Sequence, residues 1–300
     1  MKQQTVTVQV PATSANLGPG FDAVGLAVSL FAKITIALEA APPHRQPPDP
    51  MRRMVASAAR AAYKRAAQRV PRGLAIDVQS DIPLGRGFGA SAAARAAGIV
   101  GANELMGGLL SEQEILDLGT KLEGHPDNIA PALFGGLQVV ALGDNGVVEH
   151  ITVPLKRGLR CVAFTPNFSM PTHETRNLLP KRLTLTDAVF NSSRAALLIA
   201  ALATGRWDAL NTATAERLHQ RPRSKLFPRM YDFFDIATES GAHGAYLSGG
   251  GSTILAFSDN AHAEPIRDAI VQAADRFDIV GTPFILDPCA QGATVVPDPA

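Results

Sequence analysis

The sequence has 300 residues, of which 46% are apolar and 18% charged, and its formal net charge is +1. This composition supplies a large core and excludes an intrinsically disordered chain, while the balanced charge gives no electrostatic reason to expect nucleic acid or an anionic membrane as a partner. The two cysteines, Cys161 and Cys289, form neither a disulfide framework nor a zinc-binding pattern.

The first part of the chain predicts strands around one loop, then a connector and a helix. Residues 4–10 alternate apolar and polar side chains and predict a strand, and nothing before them has the apolar core of a signal peptide. "PATSANLGPGFDAVG" predicts a loop, and "LAVSLFAKITIALEA" predicts one or two strands. "APPHRQPPDP" predicts an exposed, extended connector, and a helix with a solvated basic face is expected from Pro50 to about Gln68.

The rest of the chain alternates between helices and strands. "GLAIDVQSDIP" predicts a strand, a helix is expected from Ala90 to about Leu110, and another begins at Ser111, where Glu114 completes a capping box. Further strands are predicted at "ALFGGLQVVAL", "HITVPL", "LRCVAFTP", both sides of the glycines in "AYLSGGGSTILAF", and "GTPFILDP" as the last. Further helices are predicted at "LTDAVFNSSRAALLIAALATG", "PRMYDFFDIATESG" and "AHAEPIRDAIVQAADRFD". The pattern indicates a mixed α and β protein, and because no apolar run approaches the roughly 20 residues of a membrane span, a reducing, cytoplasmic location is expected.

Three glycine-rich loops are candidates for a ligand site. "IPLGRGFGASAAARAAG" places Gly85, Gly87 and Gly89 before an alanine-rich helix, whose free N–H groups and partial positive charge suit an anion. Its spacing matches neither the Walker A loop nor the dinucleotide fingerprint, so a plain turn and a phosphate cradle both stay open. "SANLGPGFDAVG", with Asn16 and Asp22, is either a tight turn or a ligand loop. "LSGGGST" is either a hairpin or a loop pressed against a ligand or another loop.

A polar cluster occurs in "KLEGHPDNIAP", where Glu123, His125, Asp127 and Asn128 lie within six residues. A carboxylate can hold Mg²⁺ together with a hydroxyl and phosphate oxygens, and Ser91 is placed to supply the hydroxyl. A helix that ends before a proline turn would give much the same letters, so a metal site and a helix end both stay open.

Taken together and in order, these segments resemble the homoserine kinase family of the GHMP kinase superfamily. The matching segments are "VQVPATSANLGPGFDAVGLA", "PLGRGFGASAAA", "EGHPDNIAPALFGG", "DAVFNSSRAALLIAAL", "LHQRPRSKL" and "GAYLSGGGSTILA", and the likeness runs from about residue 5 to about residue 296. It implies an α+β fold with an ATP-binding domain like domain 2 of ribosomal protein S5 at residues 1–156 and a ferredoxin-like domain at residues 157–300. The implied activity is ATP-dependent phosphorylation of the homoserine hydroxyl to O-phosphohomoserine in threonine biosynthesis.

The resemblance also implies which residues bind the nucleotide. The triphosphate would lie against Pro83, Gly85, Arg86, Gly87, Gly89, Ala90, Ser91 and Ala92. Ser91 matches the serine that the superfamily uses on Mg²⁺, and Glu123 matches its carboxylate partner. Because phosphoryl transfer needs mainly positioning and charge neutralisation, ATP and Mg²⁺ are the implied cofactors and these two residues are implied in catalysis.

An amino-acid site follows from the same resemblance. Arg176 in "PTHETRNLLP" and Arg223 in "HQRPRSK" match the arginines that bind the substrate carboxylate. The other matches on the substrate side are Asn16, Asp22, His125, Thr172 and Gly249. A catalytic base is unresolved, with Asp127 as the nearest candidate; the favoured alternative is that its carboxylate accepts backbone N–H bonds and holds the "HPDN" turn.

The sequence departs from the family pattern at a few positions. Ala90 stands where a first serine is usual, Ser252 where proline is usual, and Pro222 where tyrosine precedes the second arginine. Arg53 takes the place of an asparagine near the nucleotide base, so the resemblance fixes the base pocket least.

Two other functions therefore stay open: a GHMP kinase for another amino-alcohol such as threonine, and a non-catalytic relative that binds a nucleotide or an amino acid. The expected partners are small-molecule substrates, without nucleic acid or membrane, and a homodimer is left open.

Overall fold

The computed structural model describes residues 4–39 and 49–297. All but the last two residues of the connector predicted at 41–50 lie outside these ranges, so that prediction stays untested. The described ranges contain the strands β1 (Thr5–Asn16), β2 (Gly20–Glu39), β3 (Gly73–Ser80), β4 (Leu137–Leu142), β5 (Val148–Val153), β6 (Arg160–Pro166), β7 (Gly244–Leu247), β8 (Ile254–Ser258), β9 (Gly281–Leu286) and β10 (Thr294–Val296). Their α-helices are α1 (Pro50–Arg65), α2 (Ala90–Met106), α3 (Glu112–Glu123), α4 (Ile129–Phe134), α5 (Thr172–Asn177), α6 (Leu185–Thr204), α7 (Leu210–Thr214), α8 (Gln220–Arg223), α9 (Met230–Glu239) and α10 (Ala263–Arg276).

The first sheet has the strand order β10-β1-β2-β4-β5, with β3 also paired to β2. Val6, Val8 and Val10 project from β1 into the core and are almost wholly buried. Helix α2 packs on this core, and its small side chains let it approach α1 so closely that a Cβ on Gly98 would lie 2.5 Å from the carbonyl oxygen of Val55. The alanines seen in the sequence therefore allow close packing as well as favouring a helix.

The second sheet has the order β7-β8-β6-β9. Helices α9 and α10 pack on it around a cluster that includes Phe164, Phe227 and Phe233. After β9 the chain returns to the first sheet, where β10 pairs with β1 and the N–H of Cys289 donates to the carbonyl of Ala27 at 2.8 Å. The domain division at residue 156 stays a prediction, and the first sheet takes in β10 from beyond that point.

Several predicted elements are confirmed with small shifts of their ends. Helix α1 begins at Pro50 as expected and ends at Arg65. Helix α2 ends at Met106 rather than near Leu110, because Gly107 adopts a left-handed conformation, with φ of 87°, and caps it. The capping box predicted at the start of α3 is present.

Three predictions for strands and loops are wrong. "PATSANLGPGFDAVG" is mostly strand, because β1 continues to Asn16 and β2 begins at Gly20, while register shifts after Pro11 and Ala15 absorb the irregular residues. The "ALF" of "ALFGGLQVVAL" ends helix α4, since a short buried apolar run fits a helix or a strand equally well. "GTPFILDP" contains β9 but is not the last strand, because β10 follows and is too short to show a period.

Helix α6 corrects the expectation that no apolar run reaches the length of a membrane span. Within the described ranges it is the one helix that is long and apolar enough to cross a membrane, and 22% of its most apolar stretch is buried. Leu185 and Val189 face solvent with exposed fractions of 82% and 57%, whereas Leu198 and Leu202 are buried. Length and composition alone do not make it a membrane span, since helices of soluble proteins pass the same test.

Candidate active site

The three glycine-rich loops and the "HPDN" segment meet at a cavity of about 290 Å³. The first loop joins β1 to β2, the second precedes α2, the third joins β7 to β8, and "HPDN" lies between α3 and α4. The residues selected from the sequence that line this cavity are Asn16, Asp22, Gly85, Arg86, Gly87, Gly89, Ala90, Ser91, Glu123, His125, Asp127, Asn128, Arg176, Arg223 and Gly249. Segments far apart in the chain are thus brought to one place.

Pro83 and Ala92 are not among the lining residues, and their proposed roles, like that of Thr172, stay predictions. Ala92 faces the core and has no exposed surface, because α2 turns it away from the loop. Thr172 is the first residue of α5, directly after the lining residue Pro171. Four further lining residues, Phe21, Leu84, Gly250 and Gly251, belong to the glycine-rich loops but were not chosen individually, and Pro50, Met54, Met170 and Pro171 lie outside these loops.

One end of the cavity is built for an anion. Gly89 is the N-cap of α2, with φ of 64°, no side chain caps the helix, and no acidic residue lies in its first turn. The first N–H groups of α2 are therefore left for a ligand. Ser91, in this first turn, donates a hydrogen bond from Oγ to Oε1 of Glu123 at 2.5 Å. The hydroxyl and carboxylate paired from the sequence are thus in direct contact.

The glycines of the second loop differ in what they approach. A Cβ on Gly85 would meet no atom within 4 Å, so this glycine opens onto the cavity. On Gly87 it would lie 2.3 Å from the carbonyl oxygen of Ser248, and on Gly89 it would lie 1.9 Å from Oγ1 of Thr13. Of the three, Gly85 alone fits the expectation that these glycines clear space for a phosphate; the other two clear space for neighbouring protein.

The third loop is pressed against the other two loops, as one of its two interpretations predicted. Oγ of Ser248 donates to the carbonyl of Gly87 at 2.7 Å, and the N–H of Thr253 donates to the carbonyl of Arg86 at 3.0 Å. On the other side, the N–H of Gly249 donates to the carbonyl of Ala15 at 3.1 Å. The third loop therefore holds the first and second loops in register.

The other end of the cavity carries paired charges. Arg176 donates two hydrogen bonds to the carboxylate of Asp22, at 2.6 and 3.0 Å, and this pairing raises the pKa of Arg176. The N–H of Asp22, in turn, donates to Oδ1 of Asn16 at 3.0 Å. Nδ2 of Asn16 donates to the carbonyl of Gly249 at 2.9 Å. The first loop, the third loop and α5 therefore meet through these few side chains.

Arg223 is buried beside this pair, with 2% of its surface exposed. Burial, followed by the like charge of Arg176, lowers the pKa of Arg223 to about 10. Its Nη1 donates to the carbonyl of Gly249 at 3.0 Å and lies 2.9 Å from Nδ1 of His219. Nε2 of His219 lies 2.8 Å from the carbonyl of Gly18, so the ring donates there and accepts from Arg223. The direction of this guanidinium is therefore fixed by Gly249 and His219.

Glu216 is a supporting residue that the sequence did not reveal. Its carboxylate accepts backbone N–H bonds from Leu218, His219 and Gln220, at 2.6–2.7 Å. These bonds fix the start of α8, the short helix that carries Arg223. Glu216 lies three residues before His219, the N-cap of α8, so no capping pattern marks it in the sequence.

A buried acidic group, Asp127, also lines the cavity. Asp127 is 2% exposed, and its Oδ1 lies 2.5 Å from Nδ1 of His125. Oδ1 of the next residue, Asn128, accepts a hydrogen bond from Oγ1 of Thr13 at 2.7 Å and ties "HPDN" to β1. Ligand atoms of Asp22, His125 and Asp127 lie within 4.8 Å of one another, although Arg176 already pairs with the first of them.

Arg53, the departure expected near the nucleotide base, is exposed on α1. It lines a cavity of about 350 Å³ together with Arg95, and this cavity shares Pro50 and Met54 with the main one. A second cavity with two arginines in its wall therefore lies next to the main one.

Known proteins are similar to this chain in sequence. The family model for the GHMP kinases N terminal domain matches residues 53–136, and that for the GHMP kinases C terminal matches residues 198–275. The homoserine kinase of Clostridium beijerinckii is 39% identical over 259 residues, which is 85% of this chain and 86% of that protein. That of Moorella thermoacetica is 39% identical over 297 residues, which is 96% of this chain and 99% of that protein.

A solved structure extends the likeness to three dimensions. The crystal structure of homoserine kinase from Cytophaga hutchinsonii matches with a TM-score of 0.87 and 26% identity, over 99% of this chain and 98% of that chain. The α+β fold of two GHMP kinase domains, expected from the resemblance, is thereby confirmed. This chain belongs to the homoserine kinase family of the GHMP kinases.

Proposed function

We propose that this protein transfers the γ-phosphoryl group of ATP to the side-chain hydroxyl of L-homoserine and forms O-phospho-L-homoserine. The observation that carries the proposal is the division of a single cavity into two ends. An uncapped helix N-terminus with Ser91 and Glu123 suits a triphosphate, and the charges of Asp22, Arg176 and Arg223 suit a zwitterion. Family membership supports the same reaction.

At the phosphate end, the N–H groups at the start of α2 would bind the nucleotide. The Ser91 hydroxyl and the Glu123 carboxylate fit Mg²⁺, because both offer hard oxygen ligands and already point at each other. When bound, the ion supplies positive charge that neutralises the phosphate oxygens. Arg86 is engaged elsewhere, since its Nη1 donates to the carbonyl of Pro166 at 2.6 Å.

At the other end, the two charged groups of homoserine would replace the contact between Arg176 and Asp22. Its carboxylate would take the guanidinium of Arg176, with Arg223 behind it, and its ammonium would take the carboxylate of Asp22. The arrangement stays neutral because the substrate brings one charge of each sign. We keep Asn16, His125, Thr172 and Gly249 in the proposed substrate site on the strength of the family pattern.

The proton of the attacking hydroxyl needs an acceptor within hydrogen-bond reach. Asp127 is the candidate carboxylate, because it lines the cavity close to Asp22 and contacts His125. The sequence favoured a turn-holding role for it, and its buried contact with His125 lies inside that turn. The role of base rests on its place in the cavity wall. Mg²⁺, a cytoplasmic location and this base are parts of the proposal.

The proposed reaction predicts selective release of ADP. In a coupled assay with ATP and Mg²⁺, homoserine should give far more ADP than threonine, serine, mevalonate or no acceptor. The reason is that its hydroxyl, one carbon further from the α-carbon than that of serine, has to reach the phosphate while both charged groups stay bound. Homoserine equal to the blank would reject the proposal, and threonine as the best acceptor would select the alternative amino-alcohol kinase.

The proposed metal ligand gives a second prediction. Ser91→Ala should lower kcat about 10- to 30-fold, since a water can replace a hydroxyl on Mg²⁺ but positions it less well. Steady-state rates at saturating ATP and homoserine measure this.

Ser193→Ala is the matched control, because Ser193 is exposed on α6 and its hydroxyl donates only to a carbonyl of its own helix. Unchanged turnover of Ser91→Ala at saturating Mg²⁺ would remove Ser91 from the mechanism.

A further inference from the structure

Arg95 is a charged residue beside the proposed metal ligands that the proposed reaction does not use. It lies four residues after Ser91 on α2, so both side chains project from one face of the helix. Its Nη1 contacts Oε2 of Glu123, while Ser91 donates to Oε1 of the same carboxylate. One carboxylate therefore joins the hydroxyl on one side to the guanidinium on the other.

This ion pair is shielded from solvent. The side chains of Arg95 and Glu123 are 23% and 8% exposed. Breaking a buried pair by removal of one partner is strongly destabilising, because the other charge is left uncompensated. Without a divalent cation, Glu123 therefore depends on Arg95 for its positive partner.

The position of Glu123 in its helix adds to this dependence. It is the last residue of α3, followed by the left-handed cap Gly124, whose φ is 94°. The C-terminus of a helix carries partial negative charge, which disfavours a carboxylate there. The proposed metal ligand Glu123 thus lies where the partial negative charge of the helix end destabilises its carboxylate, and a nearby cation has to compensate this repulsion.

We infer that Arg95 is a counter-ion that holds Glu123 beside Ser91 until a divalent cation arrives with the nucleotide, and then shares the carboxylate with that cation. The inference rests on the proposed function, in particular on Mg²⁺ held by Ser91 and Glu123. Arg95 is a positioning residue, because it acts through Glu123. Its presence makes nucleotide binding less dependent on Mg²⁺ than it would be with an unpaired carboxylate in the site.

Binding of a non-hydrolysable ATP analogue tests this without catalysis. Calorimetry gives its dissociation constant without and with Mg²⁺, and the ratio of the two measures the metal dependence. In Arg95→Met this ratio should exceed the wild-type ratio at least about tenfold, because the bare carboxylate repels phosphates in the absence of metal and attracts the cation more strongly. An equal ratio in the two proteins would overturn the inference.

Three further variants separate charge from folding. Arg65→Met removes an exposed ion pair, at 2.9 Å, between Arg65 of α1 and Glu114, which lies on α3 like Glu123. This variant should keep the ratio of the two dissociation constants within about twofold of wild type. Arg95→Lys keeps the charge and should restore most of the wild-type ratio. Arg95→Met combined with Glu123→Gln removes both charges, relieves the buried unpaired carboxylate, and should bring the ratio below that of wild type.

The wild-type measurement distinguishes failure of the metal site from failure of the counter-ion. If Mg²⁺ does not change the affinity of the wild-type protein for the analogue, the metal role proposed for Ser91 and Glu123 fails, and the role of Arg95 fails with it. If Mg²⁺ tightens binding equally in wild type and Arg95→Met, only the role of Arg95 is rejected.

Discussion

Replacing Gly87 with alanine is expected to lower kcat/KM for ATP by at least about 100-fold, since a shift of about 1 Å in a positioned group costs this much. Gly87 has φ of 91°, which a residue with a Cβ rarely adopts. Its new Cβ would lie 2.3 Å from the carbonyl oxygen of Ser248. That carbonyl cannot retreat easily, because the N–H of Ser248 is bonded to Thr253 at 2.9 Å and the next residue to Ala15. The second glycine-rich loop, proposed to bind phosphate, must therefore move instead.

Gly146→Ala is the matched control for this prediction. Gly146 has φ of 79°, but a Cβ added there would meet no atom within 4 Å, and the residue lies in the turn between β4 and β5, away from the cavity. The variant should lose a little thermal stability and keep wild-type kinetics. Similar kcat/KM for Gly87→Ala and Gly146→Ala would mean that the contact between the second and third loops does not position the nucleotide.

Arg176→Ala should raise the KM for homoserine at least about 100-fold, because two charge-assisted hydrogen bonds are worth about 1.5–3 kcal/mol each. The KM for ATP should change little, since Arg176 lies at the opposite end of the cavity from α2. The variant also removes the partner that Asp22 has at 2.6 and 3.0 Å. The ammonium of homoserine can then still bind Asp22, but the carboxylate of homoserine has lost the arginine that would bind it. Steady-state kinetics with each substrate varied in turn measure both constants.

The control for Arg176 is another arginine that makes two hydrogen bonds to an aspartate, but outside the site. Arg206 makes two hydrogen bonds to Asp208, at 2.8 and 3.0 Å, and both side chains are about two-thirds exposed. Arg206→Ala should leave both KM values unchanged. If Arg176→Ala raised the two KM values equally, the arginine would act on the whole cavity and not on the amino acid.

Sequence reasoning succeeded where nearby residues decide the structure. The capping box of Ser111 and Glu114, the start of α1 at Pro50 and the glycine-preceded start of α2 all depend on contacts within a few residues. It failed for "PATSANLGPGFDAVG", where pairing between β1 and β2 overrides the loop-forming residues. Local propensity is a weak guide when sheet pairing satisfies the backbone.

The candidate site divides in the same way. Motifs in family order predict Ser91, Glu123, Arg176 and Arg223 as site residues, and these four line one cavity. The contact of Ser248 with Gly87 joins residues 161 positions apart, and no local pattern announces it. No motif of the sequence singles out Arg95, and its ion pair with Glu123 depends on the packing of α3 against α2.

The return of the chain to the first sheet after β9 limits how the molecule can move. Cys289 bonds Ala27 and Gly136 at 2.8 and 2.7 Å, and the N–H of Ser29 donates to the carbonyl of Asp287 at 2.9 Å. A hinge motion that separated the two sheets would break these backbone hydrogen bonds between the segment after β9 and the first sheet. We therefore expect substrates to enter and products to leave through small movements of loops and side chains, such as those around α5, with the two lobes staying locked as one body.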